Sequence, residues 1–278
     1  MVKKRPLFSK ILHYAGLIIF TVPVMFPIYW MVISSIRTTE ELFTIPPELF
    51  PKTFTLQSYI DVITTSNIPR FLLNSLIIAT LTTVVALFIC VLASYSFVRF
   101  NYPGKRAVLI SMLFSYIIPP VLLFLPFYMI LSKIGLINSY AGIVAAHLTL
   151  VTPFMLWMLM PTFRAIPKTL EEAAMVDGAS TYQTLTKIVL PLALPGIFSS
   201  GIFAFTMSWN EFLYSSIIMM NDKMRTLPVG IASFVTSYDI RWDSIMASSV
   251  LAAIPVVIIF RLIQDYFIEG MTAGAVKG

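Results

Sequence analysis

Six stretches of this chain are apolar for about as long as a helix must be to cross the hydrocarbon core of a bilayer, roughly 20 residues at 1.5 Å each. They run over 11–36, 71–98, 107–131, 140–163, 190–220 and 244–268 of the 278 residues. Hydrophobic residues make up 58% of the chain and charged ones only 12%, about half the charged share of an ordinary soluble domain. That balance excludes a soluble enzyme or a solvated binding module. It predicts an all-α membrane protein of six transmembrane helices, read as a single domain over 1–278. The first stretch is too long for a removable signal peptide, and nothing after it resembles a cleavage site.

The charges orient the spans. Lys3, Lys4, Arg5 and Lys10 precede the first span. Arg99, Lys105 and Arg106 lie between spans two and three, and Arg164, Lys168 and Lys187 between spans four and five. Basic residues favour the cytoplasmic side, so these segments and both termini are expected there. Arg37, Lys52, Arg70, Lys223, Arg225 and Arg241 fall in the longer outer loops, where Glu40, Glu41, Glu48, Asp61, Asp222, Asp239 and Asp243 balance them. Orientation and anionic membrane lipid therefore account for the net charge of +6, and no nucleic acid is needed. The one cysteine, Cys90, sits in mid-span and cannot form a disulfide within the chain; it reads as a small apolar filler.

Two outer loops stand out. The segment 37–70 carries Pro46, Pro47 and Pro51, then a possible short helix over Leu56 to Ile63. The segment 221–243 mixes Phe234, Tyr238 and Trp242 with charges. Such aromatics are either belt residues at the membrane surface or contacts for an external partner. Prolines interrupt several spans (Pro23 and Pro27, Pro119, Pro120 and Pro126, Pro153, Pro255). Each removes a helical hydrogen bond, which neighbouring helices or water must compensate, so a packed bundle of bent helices is expected.

Between spans four and five the chain spends some twenty residues on a polar, helix-forming island. Thr169-Leu170-Glu171-Glu172 reads as a capping box, with both acids near the positive end of a helix dipole. Gly178 reads as a left-handed terminator, and Ser180-Thr181-Tyr182-Gln183 as a second capping box. Helix, glycine turn, helix is the result. Leu170, Ala173, Ala174 and Asp177 are spaced to share one face, and two alanines there permit close approach of another backbone. The alternative is a helix lying on lipid, but Glu171, Glu172 and Asp177 would repel anionic headgroups. A docking surface for a partner outside the membrane fits better.

Glu172-Ala173-Ala174, three residues, Gly178, nine residues, then Ile188-x-Leu190-Pro191 resembles the cytoplasmic signature of permease subunits of binding-protein-dependent ABC importers. Pro153-Phe154, Trp157, Phe163 and Pro167 before it, and Trp209-Asn210-Glu211-Phe212 after it, are similar to carbohydrate importers. The ending from Gly270 to Gly278 resembles the second permease subunit of maltose-type importers. The resemblance implies a type I ABC importer permease fold in which region 167–189 is a coupling helix. There Leu170, Glu171, Glu172, Ala173, Ala174, Asp177, Gly178 and Tyr182 would meet an ATPase subunit. It also implies that the tail 270–278, through Thr272, Gly274 and Lys277, enters the ATPase interface. Implied partners are a second permease, giving a heterodimer, two ATP-binding subunits and an extracytoplasmic solute-binding protein. Phe234, Tyr238 and Trp242 are candidate contacts for that last partner. Implied surroundings are a bacterial or archaeal inner membrane. No G-x-x-x-x-G-K-[ST] segment occurs in the chain, so it has no nucleotide cradle of that kind. ATP and Mg would belong to the partner subunits, with no cofactor bound here.

Glu211 is the acid nearest to the interior of a span, and such a residue is expected to face a cavity or a partner. With Trp209 and Asn210 it makes a candidate path for a sugar; a structural polar contact between two permeases is the alternative. Asn74, Ser94 and Ser115 read as helix–helix contacts. His13 and His147 have no acid or cysteine at ligand spacing, so no metal site is expected, and His147 reads as a packing residue. No nucleophile–base pair can be assembled, which disfavours an embedded enzyme. A passive scaffold, and a permease for peptides or amino acids, remain as alternatives to a sugar permease.

Overall fold

The computed structural model describes residues 7–236 and 239–273, with side chains described over 13–236 and 239–264. It is almost wholly helical. In chain order the helices are α1 (Leu7–Ser35), α2 (Thr39–Leu42), α3 (Gln57–Thr64), α4 (Ile68–Arg99), α5 (Lys105–Ile117), α6 (Pro120–Lys133) and α7 (Tyr140–Ala165). Then follow α8 (Lys168–Val176), α9 (Thr181–Thr184), α10 (Leu190–Trp209), α11 (Leu213–Ile218), α12 (Leu227–Ala232) and α13 (Trp242–Ala273). The segment Leu185–Val189 between α9 and α10 is a π-helical turn. Among the described residues, five helices are long and apolar enough to cross a membrane, or six if the bent pair α5–α6 counts as one span.

That pair departs from the sequence reading, which expects 107–131 to be one span bent at its prolines. α5 and α6 meet at 107°. Pro119 disfavours helical geometry at the residue before it, and Ile118 is extended, with φ −68° and ψ 124°. Pro120 then opens α6, where its missing N–H costs nothing. A second departure is span five, expected to reach Met220. α10 stops at Trp209 and the chain restarts as α11, for a reason given below. Elsewhere proline does not end the helices: Pro23 and Pro27 lie within α1, Pro153 and Pro161 within α7, Pro195 within α10 and Pro255 within α13.

The chain divides into two compact units. The first comprises the residues up to 69 and 231–254. In it the outer segment after α1 folds back on itself. The Thr55 amide donates to the Ile36 carbonyl at 3.0 Å, and the Glu41 carboxylate accepts from the amides of Lys52 and Thr53 at 3.2 and 2.8 Å. Arg37 is buried, donates to the Glu48 carbonyl at 2.6 Å, and lies 5.3 Å from the centre of the Trp30 ring. The short helix expected from Leu56 is α3.

The second unit comprises 70–230 and the residues from 255 onward. α7 is its centre, packed by α5, α6, α10 and α11. One core cluster joins Ala86, Cys90 and Tyr95 of α4 to Met155, Leu159 and Phe163 of α7, and to Val189, Ala193 and Ala204 around α10. Cys90 is thus the buried filler the sequence implies. A second cluster gathers Ile78, Leu131, Ile143, Tyr214 and Ile218. α7 and α10 approach closely at Gly196, where an added Cβ would lie 2.3 Å from Thr162 Oγ1.

The two ends of α4 are held differently. At its start, Asn74 is fully buried. Its Nδ2 donates to the carbonyls of Lys223 at 3.0 Å and Arg225 at 2.8 Å. Its Oδ1 accepts from the Tyr140 hydroxyl at 2.8 Å. Ser75 Oγ accepts from the Leu227 amide at 2.7 Å. Asn74 therefore anchors a loop as well as a neighbouring helix. The other end belongs to the candidate site.

Candidate functional site

α8 begins at Lys168, capped by Pro167 without a side-chain bond. The expected capping box at Thr169 is therefore not formed. The Leu170 amide donates to the Pro167 carbonyl, which places Thr169 inside the first turn. The acids also divide differently from the sequence reading, which treats both as part of a docking face. Glu171 is 5% exposed and turned inward. Arg99 Nε, on the last turn of α4, donates to Glu171 Oε1 at 2.5 Å, and the Tyr95 hydroxyl donates to Oε2 at 2.9 Å. Arg99 Nη2 donates to the Ile166 carbonyl at 2.8 Å, just ahead of α8. Ala174, three residues after Glu171, is buried as well. The face read as Leu170, Ala173, Ala174 and Asp177 is therefore split: Ala174 packs inward, and the other three are exposed.

The exposed surface carries Leu170, Glu172, Ala173, Met175, Val176, Asp177 and Gly178, with Tyr182 beyond the turn. Val176 is 88% and Tyr182 74% exposed. Large apolar side chains are thus bared among polar ones at this turn. Met175 and Val176 are members that sequence reasoning misses, because they precede the glycine where a polar cap is expected. Arg99 and Tyr95 are also missed, since nothing near them in sequence connects them to α8.

The turn between α8 and α9 is built as the sequence implies. Gly178 has φ +85°. Its amide donates to Met175 O at 3.1 Å and the Ala179 amide to Ala174 O at 2.9 Å, the paired bonds of a Schellman motif. Ser180 then forms the expected capping box. The Gln183 amide donates to Ser180 Oγ at 3.3 Å, and the Ser180 amide donates to Gln183 Oε1 at 2.9 Å. The π turn follows: the Leu190 amide donates to the Leu185 carbonyl, five residues back. This wide turn immediately precedes Pro191, which has no N–H to continue an ordinary ladder.

The residues proposed as a sugar path do not converge. Trp209 is buried and stacks on Phe205, with ring centroids 5.6 Å apart. Asn210 is exposed and donates to the Thr206 carbonyl at 3.0 Å. Glu211 is turned into the protein, where its carboxylate accepts from the amides of Tyr214 at 2.7 Å and Ser215 at 3.0 Å. It also accepts from Ser215 Oγ at 2.9 Å and faces His147 Nε2 at 3.1 Å. His147 Nδ1 lies 2.7 Å from Ser208 Oγ. Glu211 thus caps α11, and this is why span five breaks where it does. His147, read as a packing residue, is the partner that makes an acid tolerable there. Among the described residues, no group of three His, Cys, Asp or Glu is placed to hold a metal.

The outer candidates also separate. Phe234 is buried, with the Arg241 guanidinium 5.5 Å from its ring centre, whereas Trp242 is exposed. Tyr238, Gly274, Lys277 and the Thr272 side chain lie outside the described residues.

Residues 86–273 match the family described as the inner membrane component of binding-protein-dependent transport systems. The trehalose/maltose transport system permease protein MalG of Thermococcus litoralis is 36% identical over 273 residues, covering 97% of this chain and 98% of that protein. The sulfoquinovosyl glycerol transport system permease protein SmoH of Agrobacterium fabrum is 34% identical over 270 residues, covering 97% of this chain and 95% of the other. A crystal structure of a bacterial ABC transporter involved in the import of the acidic polysaccharide alginate contains a chain of the same fold. Its TM-score is 0.80 at 20% identity, over 94% of this chain and 96% of that one. With the α8–α9 signature built as described, the family matched over 86–273 and relatives matched over 97% of the chain, this chain belongs to the inner-membrane permease components of binding-protein-dependent transport systems.

Proposed function

We propose that this chain is one of two permease subunits of an ATP-driven importer, and that its cargo is a sugar or oligosaccharide delivered by an extracytoplasmic binding protein. The observation that carries the reading is the α8–α9 surface. It is exposed and apolar at Val176 and Tyr182, shaped by the Gly178 turn, and tied to α4 through Glu171. A surface of that kind suits a cleft on an ATPase subunit that pushes and pulls. Two such subunits would bind ATP and Mg, this chain binding neither. The second permease is proposed to be a different chain, and the termini and α8 to lie on the cytoplasmic side, as the basic residues argue. The sugar cargo rests on the relatives with trehalose/maltose and sulfoquinovosyl glycerol transport in their names.

The test is reconstitution of the full assembly in liposomes. Labelled trehalose and maltose are offered beside a dipeptide and an amino acid, with ATP inside. Sugar uptake that needs ATP and the binding protein is expected. Uptake of only the dipeptide or amino acid would transfer the cargo to another class, and ATP hydrolysis indifferent to this subunit would leave a scaffold.

A further inference from the structure

We propose that α4 is a strut that makes the outer segment 223–227 and the coupling helix α8 move together, with Asn74 and Arg99 as positioning residues at its two ends. The inference rests on the reading of α8 as the ATPase contact and goes beyond it, since it assigns a path to the opposite end of the helix.

At one end, Asn74 and Ser75 hold the backbone of Lys223, Arg225 and Leu227 through three hydrogen bonds of 2.7–3.0 Å, two of them from a fully buried amide. At the other, Arg99 grips α8 at the Glu171 carboxylate and the chain just ahead of it at the Ile166 carbonyl, and Tyr95 adds a third bond. Asn74 and Arg99 are twenty-five residues apart on one uninterrupted helix, so the two grips are separated by about 38 Å at 1.5 Å per residue. Between them α4 contains neither proline nor glycine, the usual causes of a kink. The other long apolar helices, α1, α7, α10 and α13, all carry proline within them. α4 is therefore built to transmit displacement where the proline-bearing helices have weakened hydrogen-bond ladders. Both grips are made to backbone or to a buried carboxylate, so they hold the position of whole segments.

The experiment is hydrogen–deuterium exchange on the assembled complex, with and without Mg-AMP-PNP on the ATPase subunits. The nucleotide is expected to change exchange in 168–176 and in 223–227 together. The substitution V84G/V85G softens the middle of α4 at exposed side chains and touches neither grip; V84A/V85A trims the same side chains but keeps the helix stiff. Asn74→Leu removes two of the three bonds of the outer grip, together with the Tyr140 bond to Asn74 Oδ1, and leaves the grip on α8 intact. With V84G/V85G or Asn74→Leu, the response at 223–227 should fall about fivefold while that at 168–176 persists. V84A/V85A should respond as the unaltered protein does. An undiminished outer response in both releasing variants, or a response at 168–176 with none at 223–227 in the unaltered protein, would overturn the strut. No response at 168–176 in an assembled complex would overturn the reading of α8 itself.

Discussion

Arg99 and Glu171 are 72 residues apart in the chain and form a buried ion pair, with each side chain only 7% exposed. Charges so placed are costly to leave alone: removing one partner of a buried pair typically destabilises by about 3–5 kcal/mol, whereas replacing both by apolar groups is often tolerated. Glu171→Ala is expected to lower thermal stability by an amount in that range. The double substitution Arg99→Met with Glu171→Leu should recover most of it. Melting curves of the purified chain in one detergent, compared across the three proteins, check both.

At Gly178 an added Cβ would have open space around it, so any penalty there comes from φ +85° and not from collision. Left-handed geometry costs a residue with a Cβ about 1–2 kcal/mol, and asparagine less. Ranked by ATPase association in co-purification, Gly178→Asn should lose least, Gly178→Ala more and Gly178→Val most. An equal loss for all three would mean that the turn geometry is not what matters.

Glu211→Ala removes the acceptor for the amides of Tyr214 and Ser215 and leaves His147 without its acid. Loss of such a cap costs about 1–2 kcal/mol, and stranded buried donors add to it. Glu211→Gln keeps an acceptor oxygen and should be milder. Because the side chain faces inward, neither substitution is expected to alter which sugar is carried, only how much. A changed preference in competition uptake assays would return Glu211 to the substrate path.

Orientation can be read with single cysteines in a background where Cys90 is replaced by alanine. Val176→Cys, at an 88% exposed position, should react with an impermeant maleimide only in inside-out vesicles. Lys52→Cys, on the outer segment with a 72% exposed side chain, should react only in sealed cells. The opposite pattern would invert the proposed topology.

The spans were legible in the sequence because twenty or more apolar residues outweigh every local signal. The Gly178 turn and the Ser180 box were legible for a different reason: both are made by residues within five positions of one another. The orientation of the two glutamates was not. Glu171 and Glu172 are adjacent, and a helix turns them about 100° apart. Which one faces inward depends on Arg99, and no local pattern reveals a partner at that separation. Span five likewise reads as continuous to Met220, because Glu211 looks like a lone acid within an apolar run. Only His147 on a neighbouring helix, and the Tyr214 and Ser215 amides that Glu211 caps, show it to be a terminus. Pro119-Pro120 did carry a signal for the break in span three. The sequence reading makes it a bend, whereas Pro119 disfavours helical geometry at Ile118 and Pro120 does the same at Pro119.

The π turn at Leu185–Val189 sets the phase between two faces of one continuous rod. A single extra residue in a helix rotates everything beyond it by about 100° relative to everything before it. The side of α9 that carries Tyr182 and the side of α10 that looks towards α7 are thus set against each other by one extra residue of underwound backbone. Removing one residue between Leu185 and Val189 would tighten this turn and leave the composition almost unchanged. The α10 side chains would then swing away from the α7 seam, or the α8–α9 surface would be aimed elsewhere. The count of nine residues between Gly178 and Ile188 is, in this light, an angular specification: it sets the direction in which the α8–α9 surface points once α10 is seated.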